Sequence, residues 1–288
     1  LAGGLKLNYE RAYEALSGLA DQLGVSVEEA ALGVVRIANS IMARALRIVS
    51  VERGLDPREF TLVAFGGAGP MHAAELALEL GVRRVLVPPS PGVFSALGLL
   101  VSDYRHDYAA SILNVDYERV GEVFEKLKEE ALRDLASEGV PASRARLVRL
   151  VEARYRGQAY GLTIPYSPSL DQVVEAFHSK HEAVYGYSMR DEPVELVTAR
   201  LIAVGLVAKP SLRRGELRPY TPRPASRRPV LLDEGWAEAG VYRLEELRPG
   251  AHVEGPAVLE GYDTTVLVPL GFEAHVDEYG GVVMSYEG

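Results

Sequence analysis

Apolar residues recur at helical spacing through the first fifty positions. Asn8 can cap a helix running to about Leu23, with Leu16, Leu19 and Leu23 on one face. Ser26-Val27-Glu28-Glu29 spells a capping box and opens a longer helix to about Arg53. Leu32, Val35, Ile37, Ala38, Ile41, Met42, Ala45 and Ile48 keep its period, and so broad an apolar arc predicts packing on more than one side. Asn39 interrupts the arc; a surface or helix–helix hydrogen bond is one use for it, a ligand contact the other. Gly54 ends the helix. The pattern then shortens. Thr61-Leu62-Val63-Ala64-Phe65 is an apolar run, Gly66-Gly67-Ala68-Gly69 breaks it, and Pro70 begins a run rich in Ala, Leu and Glu. This predicts strand, tight glycine turn and helix, with Pro at the first helical position, where its missing N–H costs nothing. A second strand is expected at Val82–Val87, then a Pro-rich turn and a short helix from Ser90-Pro91-Gly92 to about Val101. Two strands joined by a helix make a parallel, right-handed pair. Two strands alone make a poor sheet, so the remaining strands are expected to lie outside the chain.

From Tyr104 the texture changes. Tyr104–Val115 reads as a strand, and Asp116 caps a helix to about Glu138. Arg146–Arg154 and Gln158–Tyr166 alternate and read as two strands meeting near Gly157. Ser169 caps a helix to about Tyr185, and Val194–Val207 is a long strand. The order β-α-β-β-α-β is the ferredoxin-like pattern, expected to place both helices on one face of an antiparallel sheet. Residues 210–229 are rich in Arg and Pro without an apolar period and read as a linker. Residues 230–288 alternate in short runs between Pro and Gly turns and read as a small β-rich module. The expected fold class is therefore α/β plus α+β.

The glycine turn carries the chemistry. Glycines let backbone N–H groups approach a ligand, and a helix start adds oriented N–H groups with partial positive charge. A nucleotide can use such a turn; so can the packing of any α/β domain. A Cβ at Gly67 would project into the groove or force an unfavourable φ. His72 falls in the first helical turn, where the positive helix end favours a neutral imidazole; it can bind a ligand, cap or pack. The pattern G-x-x-x-x-G-K-[ST] is absent. A dinucleotide fingerprint fails too. Gly67-Ala68-Gly69 supplies two glycines, but His72 stands at the third place, and Pro88-Pro89 follow the next strand where a ribose-binding acid belongs. A nicotinamide site is disfavoured accordingly.

The stretch Ala64-Phe65-Gly66-Gly67-Ala68-Gly69-Pro70-Met71-His72-Ala73 resembles the signature of the hydantoinase A / 5-oxoprolinase family. Val51-Glu52-Arg53-Gly54, Pro91-Gly92-Val93-Phe94-Ser95-Ala96-Leu97-Gly98, Tyr155-Arg156-Gly157-Gln158, Tyr185-Gly186-Tyr187 and Glu254-Gly255-Pro256-Ala257 also look like that family. The resemblance covers essentially the whole chain but only the C-terminal portion of the family's longer proteins. It implies an ATP-dependent hydrolase that opens cyclic amides of the hydantoin or 5-oxoproline type by carbonyl phosphorylation, or a related ketone carboxylase. A non-catalytic assembly module is the further alternative. It also implies that residues 1–103 are the adenosine-side half of an actin-like (ribonuclease H-like) ATPase domain, with 104–209 the ferredoxin-like domain. Gly66, Gly67, Ala68, Gly69 and His72 would then hold ATP. Mg²⁺ would be held mainly by residues outside the chain, since nothing before Thr61 looks like a phosphate loop. The implied partners are the N-terminal half of the same subunit and a metal-bearing hydantoinase B-type subunit, acting on a small cyclic amide in the cytoplasm.

Composition narrows the picture further. The chain has 288 residues, room for two or three small domains. Its net charge of −9 argues against nucleic acid as the main partner. Cysteine is absent, which excludes disulfides and thiolate metal sites. The longest apolar stretch, Val85–Val101, carries Pro88, Pro89 and Pro91 and is no membrane span. No signal peptide is visible, and a start on Leu1 is expected of a fragment or processed chain. Three side-chain groups compete with the turn as sites. Asp103, His106 and Asp107 are metal-ligand types, but neighbours in a strand face opposite ways. His178 and His181 share a helix face and are expected to be solvated. Asp263-Thr264-Thr265 reads as a strand start, having no activating neighbour in sequence.

Overall fold

The computed structural model describes residues 8–286. The chain divides into two compact units, Leu1–Gly98 together with Ser211–Gly288, and Leu99–Pro210. In chain order the elements are α1 (Tyr9–Leu23), α2 (Val27–Val49), β1 (Leu62–Val63), α3 (Gly69–Leu80), β2 (Arg84–Val87), α4 (Phe94–Val101), β3 (Tyr104–Ser111), α5 (Tyr117–Ser137), β4 (Ala145–Tyr155), β5 (Leu162–Pro165), α6 (Leu170–Tyr185) and β6 (Val194–Gly205). There follow β7 (Ser226–Leu232), β8 (Gly235–Arg243), β9 (His252–Glu254), β10 (Ala257–Glu260), β11 (Thr265–Val268), β12 (Phe272–Val276) and β13 (Val282–Tyr286). None of the helices among the described residues is long and apolar enough to cross a membrane.

Local chemistry sets several helix ends as the sequence suggests, but Asp116 and Ser169 make no side-chain cap hydrogen bond, and α2 stops at Val49, ahead of a 3₁₀ turn at Val51–Arg53 that Gly54 ends. The Asn8 side chain accepts the Arg11 N–H, and the Ser26–Glu29 capping box is closed from both sides. Gly24, Gly54 and Gly81 each take a left-handed conformation just past a helical segment. The broad apolar arc of α2 is used less than expected. Only Ala30, Asn39 and Ala43 are buried there, while Ile37 and Ile41 are exposed, because α1 and α3 cover only part of its girth.

In the first unit β1 and β2 run parallel, with Leu62 opposite Val85. The rest of their sheet comes from the far end of the same chain, in the order β1-β2-β13-β12-β9. This corrects the expectation that its other strands lie outside the sequence. Val282, Val283 and Met284 pair antiparallel with Val87, Leu86 and Val85. A second sheet, β11-β10-β8-β7, contains a parallel β8–β10 pair. Both sheets and α3 share one core, in which Ala73, Ala74 and Ala77 meet Val85, Leu259, Val266, Phe272 and Met284. Residues 230–286 are thus knitted to the N-terminal segment rather than standing apart as a module. The Arg/Pro stretch also yields more structure than its composition suggested. Ser226 to Pro229 extend β7, an edge strand, where a proline's missing N–H breaks no ladder.

The second unit is a four-stranded antiparallel sheet with order β3-β6-β4-β5. Its element order is β-α-β-β-α-β as the pattern indicated, and both helices feed one core on one face, Phe124 and Leu135 from α5 beside Val173 and Phe177 from α6. The sheet order corrects the ferredoxin-like expectation. In that arrangement the first and third strands of the motif are central; here the fourth and second, β6 and β4, are. The small residues Ala199, Ala203 and Gly205 on β6 let α5 lie close, and a Cβ on Gly205 would come within 2.7 Å of Leu135 Cδ2.

Candidate functional site

The glycine turn forms at the carboxyl end of β1, where open α/β sheets bind ligands. Gly66 holds φ at 85° and donates its N–H to the Pro91 carbonyl at 2.7 Å, tying the turn to the loop after β2. The left-handed residue is therefore Gly66. Gly67 has an ordinary φ, and a Cβ there would make only a 3.5 Å contact with the Asp263 carbonyl, which corrects the expectation of strain at Gly67. Thr264, buried in the C-terminal region, donates its hydroxyl to the Gly66 carbonyl at 3.0 Å and lies 3.3 Å from the Gly67 carbonyl. The Thr265 N–H also reaches the Gly67 carbonyl, at 3.3 Å. The turn's carbonyls are thus taken. The N–H groups of Gly67 and Ala68, both exposed, donate to no group among the described residues, and they sit at the start of α3. Free N–H groups converging at a helix start are an acceptor's binding site.

A cleft of about 500 Å³ opens at the carboxyl end of β2, lined by Pro89, Ser90, Pro91, Val93, Leu247 and Asp263 among others. Ser90 stands there at φ 51°, a left-handed conformation that costs a non-glycine residue about 1–2 kcal/mol. Gly92 packs on Asp263 so closely that a Cβ would fall 2.5 Å from the Asp263 Cβ and 2.6 Å from Oδ2. Sequence reasoning missed Ser90, Gly92, Asp263 and Thr264 as members of one site. Only the Pro-Gly turn and the Asp-Thr-Thr string stood out locally, and nothing local says that they meet.

His72 has a partner on the neighbouring helix. Its Nδ1–H donates to Asn39 Oδ1 on α2 at 2.8 Å, and the Asn39 amide in turn donates to Glu75. The imidazole and the buried Asn39 tie α3 to α2, so Asn39 makes a helix–helix hydrogen bond. Burial, then the nearby Asp233 charge, pushes the Glu75 carboxyl up from its usual range.

In the second unit the histidines correct another expectation. His178 and His181 are buried, not solvated. The Met189 N–H donates to the Tyr155 hydroxyl, which donates to His178 Nδ1, both at 2.7 Å. Burial, then the Arg190 charge, holds His178 below its ordinary value. His181 Nδ1–H donates to the Tyr187 carbonyl. Gln158 and Tyr160, from the hairpin after Tyr155, line a small cavity of about 200 Å³ with His181, Tyr185 and Tyr187. Asp103, His106 and Asp107 are engaged separately, with Lys209, Glu138 and Arg105. Among the described residues no three His, Cys, Asp or Glu side chains gather as a metal-ligand set.

Comparison with known proteins accounts for nearly the whole chain. Residues 1–108 match the hydantoinase/oxoprolinase family model, and residues 110–284 match the hydantoinase/oxoprolinase C-terminal domain. The chain is 48% identical over 97% of its length to an uncharacterized Methanocaldococcus jannaschii protein, covering 41% of that protein. It is 32% identical over 96% of its length to the caprolactamase alpha subunit of Pseudomonas jessenii, covering 42% of it. Nucleotide-free acetone carboxylase superposes with a TM-score of 0.82 at 30% identity, covering 99% of this chain and 44% of that one. ATP-dependent caprolactamase superposes at 0.74 and 31%, covering 100% and 44%. The chain therefore spans less than half the length of these relatives. With both family models matched in order from end to end, the chain belongs to the hydantoinase/oxoprolinase family.

Proposed function

We propose that this chain is the C-terminal part of the ATP-binding subunit of an ATP-dependent hydrolase that opens cyclic amides of the hydantoin or 5-oxoproline type. The observation that carries the reading is the pair of free N–H groups at Gly67 and Ala68, at the start of α3 and beside the cleft at the carboxyl end of β2. Gly67 and Ala68 hold ATP through their free backbone amides, Gly66 and Gly69 shape the turn around it, and His72, on the first turn of α3, is steadied beside it by its bond to Asn39. ATP, when bound, supplies a phosphoryl group to the amide carbonyl oxygen, which makes the ring carbon a better electrophile. This chain's residues bind and orient; they include no assigned general base or nucleophile, and Mg²⁺ is held mainly by residues beyond it.

The β1–α3–β2 segment is read as the adenosine-side half of an actin-like ATPase domain. The N-terminal half of the same subunit completes it, and the exposed Ile37 and Ile41 of α2 are an apolar surface available for that contact. A metal-bearing hydantoinase B-type subunit acts on the activated substrate in the cytoplasm; several relatives are themselves named as subunits. A ketone carboxylase is the second reading, favoured by the higher TM-score to acetone carboxylase.

The test is phosphate release by this chain assembled with the rest of its subunit and with the partner subunit. Stimulation by 5-oxoproline, hydantoin or caprolactam supports the hydrolase; stimulation by acetone with bicarbonate supports the carboxylase. ATP turnover indifferent to all of them would remove both readings.

A further inference from the structure

We propose that Asp263 recognises the ribose hydroxyls of the nucleotide, so that the chain distinguishes ribonucleotides from deoxyribonucleotides. The inference rests on the nucleotide reading given above and adds to it a residue that lies almost two hundred positions from the glycine turn. Asp263 is half-buried and lines the cleft at the carboxyl end of β2. Among the described residues its carboxylate accepts no hydrogen bond and pairs with no cation. Many other acids of the chain are paired, Asp56 with Arg58 and Glu175 with Arg190 for example. A half-buried carboxylate beside Gly92, with no donor among the described residues, keeps its acceptor capacity for a ligand. A vicinal diol offers two O–H donors in the fork that one carboxylate accepts, as the acid of a dinucleotide fold does for a ribose.

The carboxylate is also held in place. The Tyr262 N–H donates to Glu245, Thr264 bonds the Gly66 carbonyl, and the Thr265 N–H bonds the Gly67 carbonyl. Asp263 thus sits on a loop pinned on both sides, which lowers the ordering cost of binding. Gly92 leaves the room that the carboxylate occupies. The Asp263 backbone borders Gly67 while its side chain borders the cleft, so one residue touches both places. A ligand that takes the free amides of Gly67 and Ala68 can reach this carboxylate with its sugar. The cleft, at about 500 Å³, is of small-ligand size, with apolar walls and few polar groups.

The experiment is calorimetric titration of this chain, assembled with the rest of its subunit, with ATP, 2′-deoxy-ATP and 3′-deoxy-ATP. Loss of one hydroxyl bonded to a carboxylate should weaken binding about tenfold or more. Asp263→Asn should bring ATP down to the level of the deoxy forms and flatten the preference. Gly92→Ala keeps the carboxylate but displaces it, and should erode the preference without a change of charge; thermal melts check that each variant folds. Equal binding of ATP and both deoxy forms by the parent chain overturns the proposal while leaving nucleotide binding intact, as does a preference that survives in Asp263→Asn. No binding of any of the three overturns the nucleotide reading, and this proposal with it.

Discussion

The core of one unit and the glycine turn of the other treat their polar groups in opposite ways. In the unit formed by Leu99–Pro210, the polar groups within the core are engaged. His178, Tyr155 and the Met189 N–H form a closed relay, and His181 is bonded to the Tyr187 carbonyl. Their rings pack on Phe177, with the Tyr155 and Phe177 centroids 4.8 Å apart and edge-on. In the other unit the turn and its neighbour loop keep groups in hand. The Gly67 and Ala68 amides and the Asp263 carboxylate have no partner among the described residues, and Ser90 holds a costly φ. Satisfied polar networks rigidify a core, while the carboxyl ends of parallel strands are where open α/β sheets bind ligands, which is the basis of the site proposed here. The histidines show why residue type alone misleads. His178 and His181 have the spacing of a surface or metal pair and are core residues, whereas the polar edge of the proposed site comes from an aspartate and two backbone amides.

The largest effect that can break this comparison is in the satisfied core. Phe177→Ala should cost about 3–5 kcal/mol, since the ring is buried among Tyr155, His178 and His181. Urea unfolding followed by tyrosine fluorescence reads it. If the units unfold separately, the transition of this unit moves and nucleotide binding by the other does not. A loss of binding in step with unfolding would show that the two are not independent.

A smaller effect belongs to the strap over the glycine turn. Thr264→Val removes the hydroxyl that donates to Gly66 and leaves a carbonyl short of a donor, at about 1–3 kcal/mol. The expected signature is a lower unfolding midpoint together with weaker ATP binding, because the loop that carries Asp263 is loosened. Unchanged affinity in a destabilised variant would confine Thr264 to folding.

The smallest effect, and the sharpest in sign, is the response to acid. His178 has a folded pKa below its usual 6.5, through burial first and Arg190 second. Its stabilising effect is complete above the unfolded value and is lost as pH falls through the folded one, because the unfolded chain takes the proton first. Glu75 has a folded pKa above its usual 4.5, so its contribution is complete below that value and is lost as pH rises through the folded one. Acidification from neutrality should therefore weaken the His178 unit while relieving the burden on Glu75. Unfolding midpoints measured against pH for His178→Phe and Glu75→Gln test this; each variant should flatten its own dependence, and parallel curves for parent and variant would discard the assignment.

Much of the local structure is legible residue by residue. Asn8 and the Ser26–Glu29 box mark helix starts because caps act over three or four residues. The run from Thr61 to Leu80 announces its turn because glycine and proline punctuate locally. Other features were not legible. The two-residue length of β1, the extension of β7 through Arg227 and Pro229, and the strand β9 all depend on a partner strand rather than on their own pattern. The burial of His178 and His181 was hidden because an imidazole satisfied by a hydroxyl or a carbonyl leaves no periodic trace.

The sequence by itself determined the helices, the glycine turn, the alternation of strands in the second unit and the family, because each is written in neighbouring residues. Tertiary structure alone decided that β13 closes the sheet beside β2, that β6 and β4 take the centre of the other sheet, and that Asp263 and Thr264 stand over Gly66 and Gly67. The reason is physical. Strand pairing and loop contacts between residues nearly two hundred positions apart are selected by the burial of a shared core, in which Val85, Val266 and Met284 meet, and no short-range pattern carries that choice.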